Sequence, residues 1–129
     1  PKTVRRQRQM CIRDRLNPNG KIIIFTLDPI NNEIPTFSIM KKKLKKALIR
    51  DKKIIKSISY SFKGKIVRGF SYKVKISKKK YMEMVNSKYI SVLLGMSHKL
   101  ISSGLNEIKK KYKKQISFQD KLICLVLNR

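Results

Sequence analysis

A chain of 129 residues has room for one domain with a modest core of two or three layers, and its 41% hydrophobic content is too high for a disordered tail. No apolar run approaches the roughly 20 residues of a membrane span. No apolar stretch of about 7–15 residues follows the basic N-terminus, as a secretory signal requires, so a cytoplasmic protein without a membrane span is expected. The charge stands out. Lys and Arg number 33 against 7 Asp and Glu, a formal +26, which concentrates polyanions near the surface. Non-specific nucleic-acid binding through a Lys-rich surface is therefore one expected partnership. Two features weigh against a dedicated binding face. The lysines come with abundant Ile, Asn and Ser, the mixture that an A/T-rich coding sequence produces. Arginine, the residue suited to bidentate phosphate and guanine contacts, is confined after residue 15 to Arg50, Arg68 and Arg129.

Residues 1–15, PKTVRRQRQMCIRDR, differ from all that follows: Arg-rich, with no apolar periodicity. They read as a basic nucleic-acid-binding arm or as a non-native or disordered segment. Met10 to Arg15, MCIRDR, resembles the translated read-through of a sequencing adapter, and we leave the segment out of fold reasoning. The remainder, 16–129, reads as one unit without an internal boundary.

Asn17-Pro18-Asn19-Gly20 is dense in turn residues. Residues 21–27, KIIIFTL, then form a strand apolar on both faces, which suits the interior of a largely parallel sheet. Asp28-Pro29 closes it. A helix is expected over 36–56, with Phe37, Met40, Leu44, Ala47, Leu48 and Ile55 on one face and a basic stripe outside. Two alternating stretches follow, Ile58-Tyr60-Phe62 and Phe70-Tyr72-Val74-Ile76, both strand-like. The second interleaves aromatics with lysines, either as a half-buried strand or as a stacking platform for single-stranded nucleic acid. Ser77 and Ser97 can cap helices over 78–86 and 98–113, the second with Ile101, Leu105, Ile108 and Tyr112 on one face and a Glu107–Lys111 pair. Residues 87–95 are apolar and unassigned. The end holds two further apolar runs, 116–118 and 122–127. Strands alternating with helices make the class α/β.

Catalytic constellations are thin. The single histidine, His98, has no carboxylate placed to orient it, and reads as an exposed helix-start residue. Cys11 and Cys124 lack metal-ligand spacing; Cys124 reads as a small buried hydrophobe in a reducing compartment. The acids after residue 15 are isolated, and no phosphate-cradling glycine loop is present.

The stretch 16–28, LNPNGKIIIFTLD, resembles the entry to the fifth strand of the class I, Rossmann-like, S-adenosylmethionine-dependent methyltransferases, written Leu-Lys-Pro-Gly-Gly before an apolar strand. Leu16, Pro18, Gly20 and 21–27 match; Asn17 and Asn19 replace the basic residue and the first glycine. Residues 77–93, SKKKYMEMVNSKYISVL, are similar to the acceptor-side helix of the trans-aconitate methyltransferase-like group. The helix after Ser97 and a closing strand follow in the family's order. The resemblance implies a C-terminal fragment of a three-layer Rossmann-like sheet with an inserted acceptor-side lid. S-adenosylmethionine would be the cofactor of the intact parent enzyme, and the methyl acceptor is unidentified. The family's glycine-rich turn and ribose-binding acid are not in this sequence, so no cofactor-binding residue carries over and the fragment is expected to be inactive alone. As acceptor-pocket residues the resemblance implies Pro29, Phe37, Tyr72, Tyr81 and Tyr89, each of which also reads as plain core. Methyl transfer is an in-line displacement that rests on alignment, so no catalytic side chain need be visible. The other reading is a small basic RNA- or DNA-binding protein.

Overall fold

The structure, a computed structural model, describes residues 14–128, apart from the side chains of residues 66–68. The Arg-rich segment and Cys11 lie outside these residues, save for Asp14 and Arg15, which are helical and exposed. In chain order the elements are β1 (Lys21–Leu27), α1 (Ser38–Ser61), β2 (Lys65–Ser77), α2 (Lys78–Asn86), α3 (Ser91–Leu94), α4 (His98–Lys111) and β3 (Gln115–Asn128). The fold is mixed α/β. Its sheet has the order β1-β3-β2, with β3 antiparallel to both neighbours, so β1 and β2 run parallel to one another.

Residues 57–62 correct the sequence expectation. Their Ile/Ser alternation suggests a strand, yet they continue α1, which ends at Ser61 and not near 56. Ile55, Ile58 and Phe62 also fall on one helical face, and burying that face against Leu125 and Leu127 of β3 decides the outcome. The chain then turns through Lys63, whose φ of 48° provides a left-handed close to the helix. The two apolar runs expected at 116–118 and 122–127 are a single strand. β1, expected inside a parallel sheet, is an antiparallel edge strand among the described residues.

At 14 residues β3 is about 46 Å long, enough to serve two cores. Its C-terminal half offers Leu125 and Leu127, with Ile22 and Ile24 of β1, to the second half of α1. Its N-terminal half offers Ile116 and Phe118, from the opposite face, to Tyr81, Val85, Ile101 and Ile108 of α2 and α4 and to Phe37 and Met40. Among the described residues, a stretch of sheet on β1 is left uncovered. There Ile23 and Phe25 stand 59% and 62% exposed, and the Phe25 ring lies 5.9 Å from Phe70.

Local and tertiary signals divide the helix starts. Ser77 and Ser97 cap α2 and α4 as the sequence suggests, accepting from Lys80 N at 3.2 Å and Leu100 N at 3.3 Å. α1 has no cap of its own; Glu107 of α4 accepts from Ser38 N at 2.9 Å and Ser38 Oγ at 2.8 Å. A carboxylate suits that end of the helix dipole. The expected Glu107–Lys111 pairing persists as a charge interaction that helps to lower Glu107, alongside this longer-range bond. Cys124 is buried and free, as expected of a small hydrophobe. No helix of the described residues is long and apolar enough to cross a membrane.

Candidate functional site

Because β1 and β2 are parallel, their carboxyl ends open on the same side, where the 28–37 loop and helices α2 to α4 gather. The loop is tightly specified. Asp28 Oδ1 accepts from Ile30 N at 2.8 Å and Asn31 N at 3.1 Å, an Asx turn that reverses the chain. Asn32 Oδ1 accepts from Ile34 N at 3.0 Å, which fixes its amide. Glu33 binds Lys121 Nζ at 2.5 Å and Gln119 N at 3.3 Å, fastening the loop to β3. Further on, the Tyr81 hydroxyl donates to the Pro35 carbonyl oxygen.

Three of the five residues implied by the resemblance come together here. Tyr81 and Tyr89 contact edge to face, with hydroxyls 3.2 Å apart. Tyr72 donates to Asp120 Oδ2 at 2.7 Å across the β2–β3 pair. The Asp120 charge extends to Tyr89, whose hydroxyl is pushed above its ordinary range first by burial and then by that carboxylate. The bond to Asp120 likewise raises Tyr72, and burial raises Tyr81. All three phenols are therefore neutral donors at physiological pH. Asp120 keeps its other oxygen, Oδ1, buried and without a hydrogen-bond partner. A carboxylate with one free oxygen and neutral phenols beside it can accept a hydrogen bond or proton from a hydroxyl or amine.

Phe37 shares the hydrophobic core with Tyr81, whereas Pro29 lies elsewhere. Pro29 lines a separate cleft, together with Glu33. Phe37 is core: it is 2% exposed and its ring lies against Gly104, where an added Cβ would come within 2.5 Å of it. His98 is exposed and its Nδ1 lies 3.3 Å from Ser102 Oγ. Among the described residues no group of three His, Cys, Asp or Glu could hold a metal ion.

Sequence reasoning missed Asp120 and Asn32. Asp120 had a readable signal, as the one acid in an apolar alternation of Ile116, Phe118, Leu122 and Cys124. Asn32 had none, because its burial is a product of the loop's path.

Acid should weaken the fold through these contacts. Glu33 is held below its ordinary 4.5 chiefly by the bond from Lys121, and Glu107 by the bonds from Ser38. Burial by itself would raise Asp28, but the donors from Ile30 and Asn31 outweigh it and lower it from 3.8. The unfolded chain thus binds more protons than the folded one, and stability falls as pH falls through the folded values. We expect a melting temperature that is flat above about pH 5 and declines below it. Glu33→Gln with Glu107→Gln should flatten that decline. A decline of undiminished steepness in the double variant would assign acid sensitivity to other groups.

Comparison with protein-family models, curated proteins and solved structures found no match to this chain.

Proposed function

We propose that this chain is the acceptor-side, C-terminal part of a class I, Rossmann-like, S-adenosylmethionine-dependent methyltransferase, acting on an unidentified acceptor and inactive by itself. The observation that carries the proposal is β1: one edge has no strand beside it among the described residues, and Ile23 and Phe25 lie bare on the uncovered face. An apolar strand in that state is suited to a sheet that continues past it. The parallel relation of β1 and β2, linked through α1 with β3 inverted between them, agrees with a doubly wound sheet carrying an antiparallel strand near its end. On this reading the Asp120, Tyr72 and Tyr89 cluster orients the acceptor, with Asp120 Oδ1 taking its hydrogen bond.

On this reading the cofactor site lies outside the described residues. None of the five glycines follows a strand in a turn to a helix, and the acid ending β1, Asp28, already accepts two backbone donors. Calorimetry with S-adenosylmethionine should give no heat of binding with the 129-residue chain and saturable binding with a protein extended upstream. The upstream genomic sequence should encode an apolar strand ending in acid-x-Gly-x-Gly. A native start codon close to Leu16 would sink the proposal.

One observation favours the second reading, a small basic nucleic-acid-binding protein. Tyr72, 53% exposed, shares the open face with Phe25, and aromatics on a sheet are stacking platforms. Steeply salt-dependent, stoichiometric binding of an oligouridylate, lost in Phe25→Ala with Tyr72→Ala, would support it over the methyltransferase. Weak binding that is indifferent to those substitutions would remove it.

A further inference from the structure

The cleft beside the 28–37 loop carries features that the methyl-acceptor reading does not use. It lies between the 28–37 loop, the first half of α1 and the end of α4, and is an open cleft of about 540 Å³, within the roughly 300–1,000 Å³ of small-molecule sites. Its apolar wall includes Ile34, Leu44, Leu48 and Tyr112. Above this wall stand Lys41, Lys45 and Lys111. Lys41 and Lys45 are one helical turn apart on the face that also presents Leu44 and Leu48, so ammonium groups border hydrocarbon by construction. The acid that lines the cleft, Glu33, is engaged by Lys121 and by Gln119 N. The cleft is thus electropositive as well as apolar.

The second observation is Asn32. With its Oδ1 fixed by Ile34 N, its Nδ2 is left as a buried donor with no partner in the protein, and Asn32 lines this cleft. Buried donors are nearly always paired, and what this one lacks is an acceptor. An acceptor with negative charge would also meet the lysines.

We propose that this cleft binds a small amphipathic anion, a carboxylate or phosphate head on a hydrocarbon body. The head is held by Asn32 Nδ2 and by Lys41, Lys45 and Lys111, and the body lies on Leu44, Leu48 and Tyr112. None of Tyr72, Tyr81, Tyr89 and Asp120 lines the cleft, so the inference stands whether or not the chain belongs to a methyltransferase.

The test is isothermal titration of the full chain with decanoate, decyl phosphate, acetate and decyltrimethylammonium. Decanoate or decyl phosphate should bind at one site, and the stronger of the two identifies the head; acetate and the cationic amphiphile should not bind there. Asn32→Asp keeps the shape and the acceptor for Ile34 N but replaces the donor by a negative charge, and should weaken binding roughly tenfold or more. Lys41→Gln with Lys45→Gln, on exposed side chains, should weaken it about fivefold. Ile23→Lys with Phe25→Lys, which alters the bare sheet face elsewhere, should leave it unchanged. The proposal is overturned if the cationic amphiphile binds as well as decanoate, or if binding survives Asn32→Asp and the lysine pair. It is equally overturned if binding is lost in the Ile23 and Phe25 variant while folding is retained.

Discussion

Tyr81→Ala is expected to lower the free energy of unfolding by about 3–5 kcal/mol, the range for deleting a buried aromatic ring. Tyr81 is 1% exposed and first by volume among the fully buried side chains. Its ring joins α2 to Tyr89, and its hydroxyl ties α2 to the Pro35 carbonyl of the 28–37 loop. A domain of this size is stable by only about 5–15 kcal/mol, so this one change removes a large share. Tyr81→Phe separates the two contributions: it keeps the ring and leaves the Pro35 carbonyl without its donor, for an expected loss of about 1–3 kcal/mol. Urea unfolding of the three proteins measures both. A loss below about 1 kcal/mol for the alanine variant would mean that the surrounding helices collapse onto the space.

The second large effect changes sign with context. In the 129-residue chain, Ile23→Lys with Phe25→Lys should convert an associating protein into a monodisperse one, because it places charge on an open, flat edge strand. The cost to folding is small, since both side chains are more than half exposed; losing the Phe25–Phe70 contact accounts for about 0.5–1.5 kcal/mol. In a longer methyltransferase the same face would lie under the preceding layer, and two buried lysines would destabilise it strongly. Light scattering of the short chain and thermal melts of the extended one read the two effects. Improved behaviour in both would mean that nothing covers this face, and would count against the proposed function.

The candidate site was partly legible before the structure. The resemblance points to Tyr72, Tyr81 and Tyr89; Tyr72 bonds Asp120, whose charge reaches Tyr89, and Tyr81 touches Tyr89, but Asp120 itself reads in the sequence as an isolated acid. Pairing across strands depends on register, which places Tyr72 opposite Asp120, 48 residues away. Phe37 illustrates the converse. An aromatic at the mouth of a loop invites a binding role, whereas the absent side chain of Gly104 draws it into the core.

What the sequence determined by itself was local. Ser77 and Ser97 mark the starts of α2 and α4 because a serine hydroxyl reaches a backbone N–H three residues on, whatever the rest of the chain does. The apolar run at 21–27 and the alternation at 70–76 mark strands for a similarly short-range reason. Tertiary structure decided what two periods can both explain, or what one segment cannot supply. Residues 57–62 satisfy strand and helix patterns alike, and the apolar patch of Leu125 and Leu127 selects the helix by burying Ile55, Ile58 and Phe62 together. The start of α1 has no local cap, and a carboxylate 69 residues away closes it. Burial and register are properties of the whole chain, so neither result could be read from a window of its sequence.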